Sequence, residues 1–192
     1  MENLSARDPR SDFVGLMNEV MVQAGSHLAT YYSSDVGRLR IAGPFLREGI
    51  KLGQPTFLIA SGEVLERYLE AVEKDVEDEL AEARRRGLFA TAPTPGRTVE
   101  EALNFWADRI AVASILNPAI VRIVGDMACV KSTFRSTREM LTFERHLGAL
   151  FQDTPCVAIC QYDVREFDGP SLLEAIKAHP DLIDLGLTKF VS

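Results

Sequence analysis

The chain has 192 residues, 46% hydrophobic and 26% charged, which supports one substantial core, is too short for two well-packed α/β domains, and excludes wholesale disorder. A net charge of -7 and a pI near 5.1 exclude a broad nucleic-acid surface, which draws its affinity from arginines and lysines set against phosphates. No apolar run approaches the ~20 residues that cross a bilayer, and an odd number of cysteines, three, makes no disulfide framework, so the composition fits a reducing, cytoplasmic setting with no membrane partner.

Residues 1–11 are polar, contain Pro9 and read as a flexible arm, which leaves 12–192 as a single domain. Over 12–23 the apolar Phe13, Leu16, Met17, Val20 and Met21 recur at helical spacing, which predicts an amphipathic helix stopped by Gly25. His27 to Tyr32 predicts a buried strand, and 36–52 a helix carrying Gly43 and Pro44 and ended by Gly53. The run PTFLIA at 55–60 is nearly all apolar, as a strand buried on both faces of a parallel sheet must be.

A long helix is expected over 63–86, with the stripe Leu65, Tyr68, Leu69, Val72, Val76, Leu80 and Ala83 and a terminating Gly87. Its basic end, Arg84-Arg85-Arg86, complements the helix dipole and needs no nucleic-acid partner. A short strand at 88–92 and a turn-rich loop at 93–96 follow. Thr98 with Glu101 makes a capping-box signature for a helix to about residue 116, broken by Asn117-Pro118. Then come a strand at 119–124, a helix at 136–151, a strand at 156–162, a short helix at 171–178 and an edge strand at 184–191. Strands alternating with crossover-length helices predict an α/β protein, a three-layer α/β/α sandwich with a mainly parallel sheet.

In such a sheet ligands bind beyond the carboxyl ends of the strands. Those ends carry Tyr32-Ser33-Ser34-Asp35, Ser61-Gly62-Glu63, Gly125-Asp126 and Gln161-Tyr162-Asp163, with Arg38 and Arg122 as nearby cations. The loop at 33–38 precedes a helix, whose N-terminal amides can hold an anion, although capping by Asp35 is the simpler role. No G-x-x-x-x-G-K-[ST] occurs, so neither a glycine-rich cradle nor a phosphate-neutralising lysine is supplied. Asp126 stands where nucleotide hydrolases carry a magnesium-binding acid; without that lysine it reads as a hydrogen-bonded structural or ligand-contacting residue.

Cys156 and Cys160 fall four apart on one strand, roughly 13 Å at a strand's rise per residue, too far to bridge or to share one zinc. They read as buried, with Cys129 more accessible. His27, His146 and His179 are scattered, and no G-x-S-x-G, H-E-x-x-H or C-x-x-C accompanies them. No catalytic residue, metal or cofactor is expected. His27 reads first as a hydrogen-bonded core histidine, and most aromatics as core. Tyr32 and Tyr162, at strand ends with a hydroxyl to satisfy, are candidate pocket members.

Several segments together resemble one family, the MEDS domain, a methanogen/methylotroph DcmR-type sensory domain. They are Gly25-Ser26-His27 with Tyr31-Tyr32, then 45–53 (FLREGIKLG), Phe143-Glu144, Cys160-Gln161-Tyr162-Asp163 with Phe167, and His179-Pro180, spanning roughly 13–185. The resemblance implies a degenerate RecA/KaiC-like fold without a phosphate-binding loop, used as an input module in signalling proteins that include repressors and histidine kinases, and binding small hydrocarbon derivatives. It carries over His27, Tyr32, Gln161, Tyr162 and Asp163 as candidate ligand contacts. One departure is Gly125-Asp126-Met127-Ala128-Cys129, where members commonly show Gly-Glu-Met and a nearby tryptophan.

The resulting expectation is a non-catalytic cytoplasmic sensory domain. It binds a small molecule at the strand ends through His27, Tyr32, Ser33, Ser34, Asp35, Arg38, Glu63, Asp126, Gln161, Tyr162 and Asp163. It then signals through a regulatory protein, a kinase or transcription regulator, or through a second copy of itself. The alternatives are an interaction module with a vestigial pocket and a nucleotide binder with weak or no hydrolysis. A thiol sensor at Cys129 or Cys160 finds no basic neighbour beyond Lys131 to lower a thiol pKa.

Overall fold

The apolar runs near 27–32, 56–59, 89–92, 121–126 and 156–163 pair side by side into one parallel sheet. The structure, a computed structural model, describes residues 13–17, 20–92, 96–116, 118–152, 154–181 and 191. Ahead of the sheet, β1 (Phe13–Met17) and β2 (Val20–Gln23) form an antiparallel hairpin. The sheet itself is β3 (His27–Tyr32), β4 (Thr56–Ile59), β5 (Phe89–Ala92), β6 (Val121–Asp126) and β7 (Cys156–Asp163), in the order β3-β7-β6-β4-β5. All four pairings are parallel.

On one face, helices α2 (Gly62–Glu73) and α3 (Glu77–Arg85) each pack against α1 (Asp35–Lys51), and the hairpin leans on α1. The other face is covered by α4 (Val99–Ile115), α5 (Met127–Lys131), α6 (Thr137–Phe151) and α7 (Gly169–Ala178). The three-layer α/β/α arrangement is the one the sequence predicts.

Three expectations change. The helix predicted over 12–23 is the β1–β2 hairpin: Val14, Leu16, Val20 and Val22 are buried while Phe13 and Met21 are half exposed, a period of two rather than 3.6. The helix predicted over 63–86 breaks at 74–76. Twenty-four residues of straight helix would run about 36 Å, against roughly 13–26 Å for strands of four to eight residues. At Val76 the backbone turns to φ -147 and ψ 32 while the side chain stays in the core, so the second segment can fold back along the sheet. Third, α5 follows β6 directly, capped by Asp126, where no helix is expected.

The arm 1–11 and the loop positions 93–95 lie outside the described residues, as does all of the edge strand at 184–191 except Val191, which bridges in parallel to Tyr31. The predicted capping box of α4 is in place, the Thr98 hydroxyl accepting from the Glu101 amide and the Glu101 carboxylate from the Thr98 amide, whereas α1 is capped by Ser34 and not by Asp35, whose carboxylate pairs with Arg38 and Arg67 instead. Two glycines serve close approach. Gly25, at φ +91, lies where a Cβ would come 2.8 Å from the Gln152 carbonyl oxygen. A Cβ on Gly49 would fall 2.6 Å from Arg122 Cδ, so α1 passes directly over that arginine.

Arg122 is accordingly not a strand-end cation, as the sequence suggests. It sits near the start of β6, fully buried, donating to Gln54 Oε1 (2.7 Å), the Phe45 carbonyl (2.9 Å) and Glu48 Oε2 (2.7 Å). It ties α1 to the sheet, which accounts structurally for the 45–53 segment.

Candidate functional site

Because side chains alternate along a strand, neighbours in sequence here go to opposite faces of the sheet. Tyr32, Asp126, Gln161 and Asp163 point toward α1 and α2. His27, Cys160 and Tyr162 point toward α6. The residues expected at one site therefore fall into two clusters.

The first cluster closes the carboxyl ends of the strands under α1 and α2. Ser34 caps α1 by accepting from the Gly37 amide (3.1 Å), which brings Arg38 one turn in, over the Tyr32 ring. Arg38 Nε donates to the Tyr32 hydroxyl (3.0 Å) and lies 3.3 Å from Asp126 Oδ2; its Nη1 donates to Asp35 (2.9 Å). Tyr32 donates to Asp126 Oδ2 (2.8 Å), and the Tyr68 hydroxyl reaches both Gln161 Oε1 (2.5 Å) and Asp126 Oδ2 (3.2 Å). The Gln161 amide in turn donates to Thr30 and to the Arg38 carbonyl.

Charge is balanced in this cluster. The carboxylates of Asp35, Asp126 and Asp163 face the guanidinium groups of Arg38, Arg67 and Arg165. Arg165 grips Asp163 with both Nε and Nη2, which holds that carboxyl below its usual range. Burial, and then the Asp126 charge, push the Tyr32 and Tyr68 hydroxyls well above the usual phenol range. Ser33 and Glu63 are exposed at the rim and make no part of the network. Tyr68, which the sequence marked only as core stripe, completes it.

The second cluster lies on the opposite face, under α6 and the end of α7. His27, Glu144, Cys160 and His179 each offer a ligand-type atom, all within 4.8 Å of one another and all buried. His27 Nε2 is 3.2 Å from Cys160 Sγ and 3.6 Å from Glu144 Oε2; His179 Nε2 is 3.2 Å from the same oxygen. The Tyr162 hydroxyl donates to Glu144 Oε2 (3.2 Å), and His179 Nδ1 meets the Ala175 carbonyl at 2.7 Å. The rings of His27 and His179 approach to 4.2 Å between centroids. Histidines 152 positions apart in sequence thus meet, and their scatter along the chain hid this; the Phe143-Glu144 and His179-Pro180 segments of the resemblance were the available signal.

Burial drives the His27 imidazole down to a pKa of about 3, with the neighbouring His179 adding to the effect. Burial also pushes the Cys160 thiol well up; at Glu144 burial is again the largest single influence and raises the carboxyl, but the contacts with His179, His27 and Cys160 together leave it below its usual range. Glu144 and Cys160 form the polar wall of a small, otherwise apolar cavity of about 20 Å³, lined among others by Ile59, Trp106, Ile123, Phe143 and Leu147. On the outer side, a cleft of about 310 Å³ bordered by Gly25, Ser26, Gly148, Ala178 and Pro180 reaches His27.

A parallel sheet of this order, with its strand ends filled by its own side chains instead of a phosphate loop, defines a KaiC-like α/β domain without the nucleotide grip. Among solved structures, a KaiC-like protein from the hyperthermophilic archaeon Pyrococcus horikoshii OT3 superposes with a TM-score of 0.52 over 72% of this chain and 61% of that one. At 12% identity that likeness shows the fold alone. Residues 26–180 match the family described as MEDS, MEthanogen/methylotroph, DcmR Sensory domain, and the chain belongs to that family. The transcriptional repressor DcmR of Methylorubrum extorquens is 30% identical over 156 residues, 81% of this chain, and the chain spans 58% of that repressor's length. No helix among the described residues is long and apolar enough to cross a membrane.

Proposed function

We propose that this MEDS domain is a non-catalytic cytoplasmic receptor for a small hydrocarbon derivative, and that it passes the bound state to a regulatory protein or to a second copy of itself. The observation that carries this reading is the cavity whose walls are apolar except for Glu144 and Cys160. Its volume, about 20 Å³, leaves room for roughly one small group before side chains move. That favours ligands of one or two carbons over sugars or nucleotides.

Of the residues expected to contact ligand, Tyr162 belongs beside this cavity through its bond to Glu144, and His27 behind Cys160. Tyr32, Arg38, Asp126, Gln161 and Asp163 we assign to holding the strand ends shut, because their polar groups are spent on one another. The same closure supports a vestigial nucleotide pocket: Arg38, the cation needed in place of the missing lysine, is already engaged. We place the outward path along α4, because Trp106 lines the cavity and the far end of that helix exposes Val112, Ile115 and Leu116.

The test is a thermal-shift titration with one- to three-carbon halides, alcohols and thiols, run beside Mg-ATP. A ligand that prefers the native state raises the melting temperature with its logarithmic concentration. The expected result is a saturable rise with at least one small halide or alcohol and none with Mg-ATP. A rise with Mg-ATP, or none with any small probe at millimolar concentration, overturns the reading.

A further inference from the structure

Glu144 raises a problem of charge. It is fully buried, and no lysine or arginine pairs with it among the described residues. An isolated carboxylate in such surroundings is costly enough that proteins neutralise it, pair it or give it a metal. The histidines beside it do not solve this as neutral groups. His179 Nδ1 sits 2.7 Å from a carbonyl oxygen, which only an N–H can satisfy, so in the neutral ring the Nε2 lone pair is aimed at the Glu144 carboxylate. His179 Nε2, Glu144 Oε1 and His27 Nδ1 are all buried without a hydrogen-bond partner.

From this arrangement we infer that His27, Glu144, Cys160 and His179 form a binding site for one divalent ion of the zinc class. Two neutral imidazoles, one thiolate and one carboxylate around a dication sum to zero charge, which is what an apolar interior requires. Zinc takes N, S and O ligands tetrahedrally at about 2.0–2.3 Å, so its ligand atoms lie roughly 3.3–3.8 Å apart. Three of the observed separations, 3.2, 3.6 and 3.2 Å, are already close to this, and the whole set lies within 4.8 Å, so the wider pairs must close by up to about 1 Å. The bond from His179 Nδ1 to a backbone carbonyl is the outer contact that fixes a ligating histidine's tautomer. The cleft reaching His27 supplies a way in.

The ligands come from β3, α6, β7 and the residue that caps α7, so the ion would fasten four elements to one another. Four protein ligands make a closed site, a structural ion rather than one that activates water. Binding displaces the Cys160 thiol proton, so one proton leaves per ion bound. The inference goes beyond the receptor reading and stands without it, since it rests on the donor set and not on the cavity.

The experiment uses reduced, chelator-stripped protein titrated with cobalt(II), then zinc. One equivalent of cobalt is expected to give a thiolate-to-metal band in the near ultraviolet and the intense visible bands of four-coordinate cobalt, both bleached by zinc. In Cys160→Ser, with an unchanged circular dichroism spectrum, the near-ultraviolet band is expected to vanish. Glu144→Gln is expected to weaken zinc at least about tenfold, to the degree seen when a metal's supporting groups are lost. Pale six-coordinate cobalt without the thiolate band, or the same spectrum from Cys160→Ser, would mean surface binding only and overturn the site. Should both variants fail to fold, the wild-type spectrum alone decides.

Discussion

The two faces of the central sheet bury acidic groups to the same depth and treat them in opposite ways. Under α1 and α2, Asp126 is held by Arg38, Tyr32 and Tyr68, and each carboxylate has an opposite charge within reach. Under α6, among the described residues, Glu144 is faced by two histidines, a thiol and a phenol. A satisfied network costs little and makes a rigid, closed end to the sheet. An unsatisfied one is retained only where something else completes it. The contrast separates a closed scaffold from the face where the metal site is inferred, although both draw on residues adjacent in sequence.

The largest effect should come from removing the cation of the closed face. Arg38→Met leaves Asp126 buried without its guanidinium, and breaking a buried pair in this way costs about 3–5 kcal/mol. Urea denaturation should show that loss in the midpoint with an unchanged slope. The matching change on the other face, Glu144→Gln in chelator-treated protein, is expected to shift stability by less than about 1 kcal/mol. It removes a charge that has no full partner and keeps an acceptor for Tyr162. Equal losses from the two variants would erase the distinction between the faces.

Alkaline titration sharpens the comparison, because the four tyrosines divide between the faces and all are buried. Tyr32 and Tyr68 are shifted upward by burial and Asp126; Tyr31 and Tyr162 are shifted upward by burial and then by charges around Cys160 and Glu144. A phenol raised in the native state keeps its proton while the unfolded chain releases it near pH 10. Stability therefore falls as pH rises above that value. Tyrosinate absorbance should stay absent at pH 10 and then appear for all four residues together, coincident with loss of the circular dichroism signal. Titration of any one of them in folded protein would show that its face opens to solvent.

The parallel sheet was legible because β4 is a nearly continuous apolar run and β6 and β7 are apolar over most of their length, and the capping of α4 because Thr98 and Glu101 carry their mechanism in their spacing. The first segment was not, since 13–23 satisfies both periods: Phe13, Leu16, Met17, Val20 and Met21 fit a helix, while Val14, Leu16, Val20 and Val22 fit a hairpin. Only packing of Val14 and Val22 into the core decides between them. For the site, Gln161, Tyr162 and Asp163 looked like one constellation, yet strand alternation sends Tyr162 to Glu144 and Gln161 to Tyr68. Such partners, on helices far along the chain, carry no local signature. Pairing His27 with His179 needs the crossover geometry of the whole sheet.

The smallest expected effect serves as the control for both faces. Thr98 caps α4 at the exposed end of the molecule, accepting from the Glu101 amide at 3.2 Å. Thr98→Ala should cost about 1 kcal/mol by freeing that amide and half of the capping box. Since Trp106 lies two turns further on, its place against Phe57 is set by core packing and not by the cap. The variant should therefore lower the melting temperature without altering cobalt spectra or the response to small halides. A lost ligand response with intact metal binding would place the sensing step in the stability of α4 itself, and shift attention from the polar wall of the cavity to its Trp106 side.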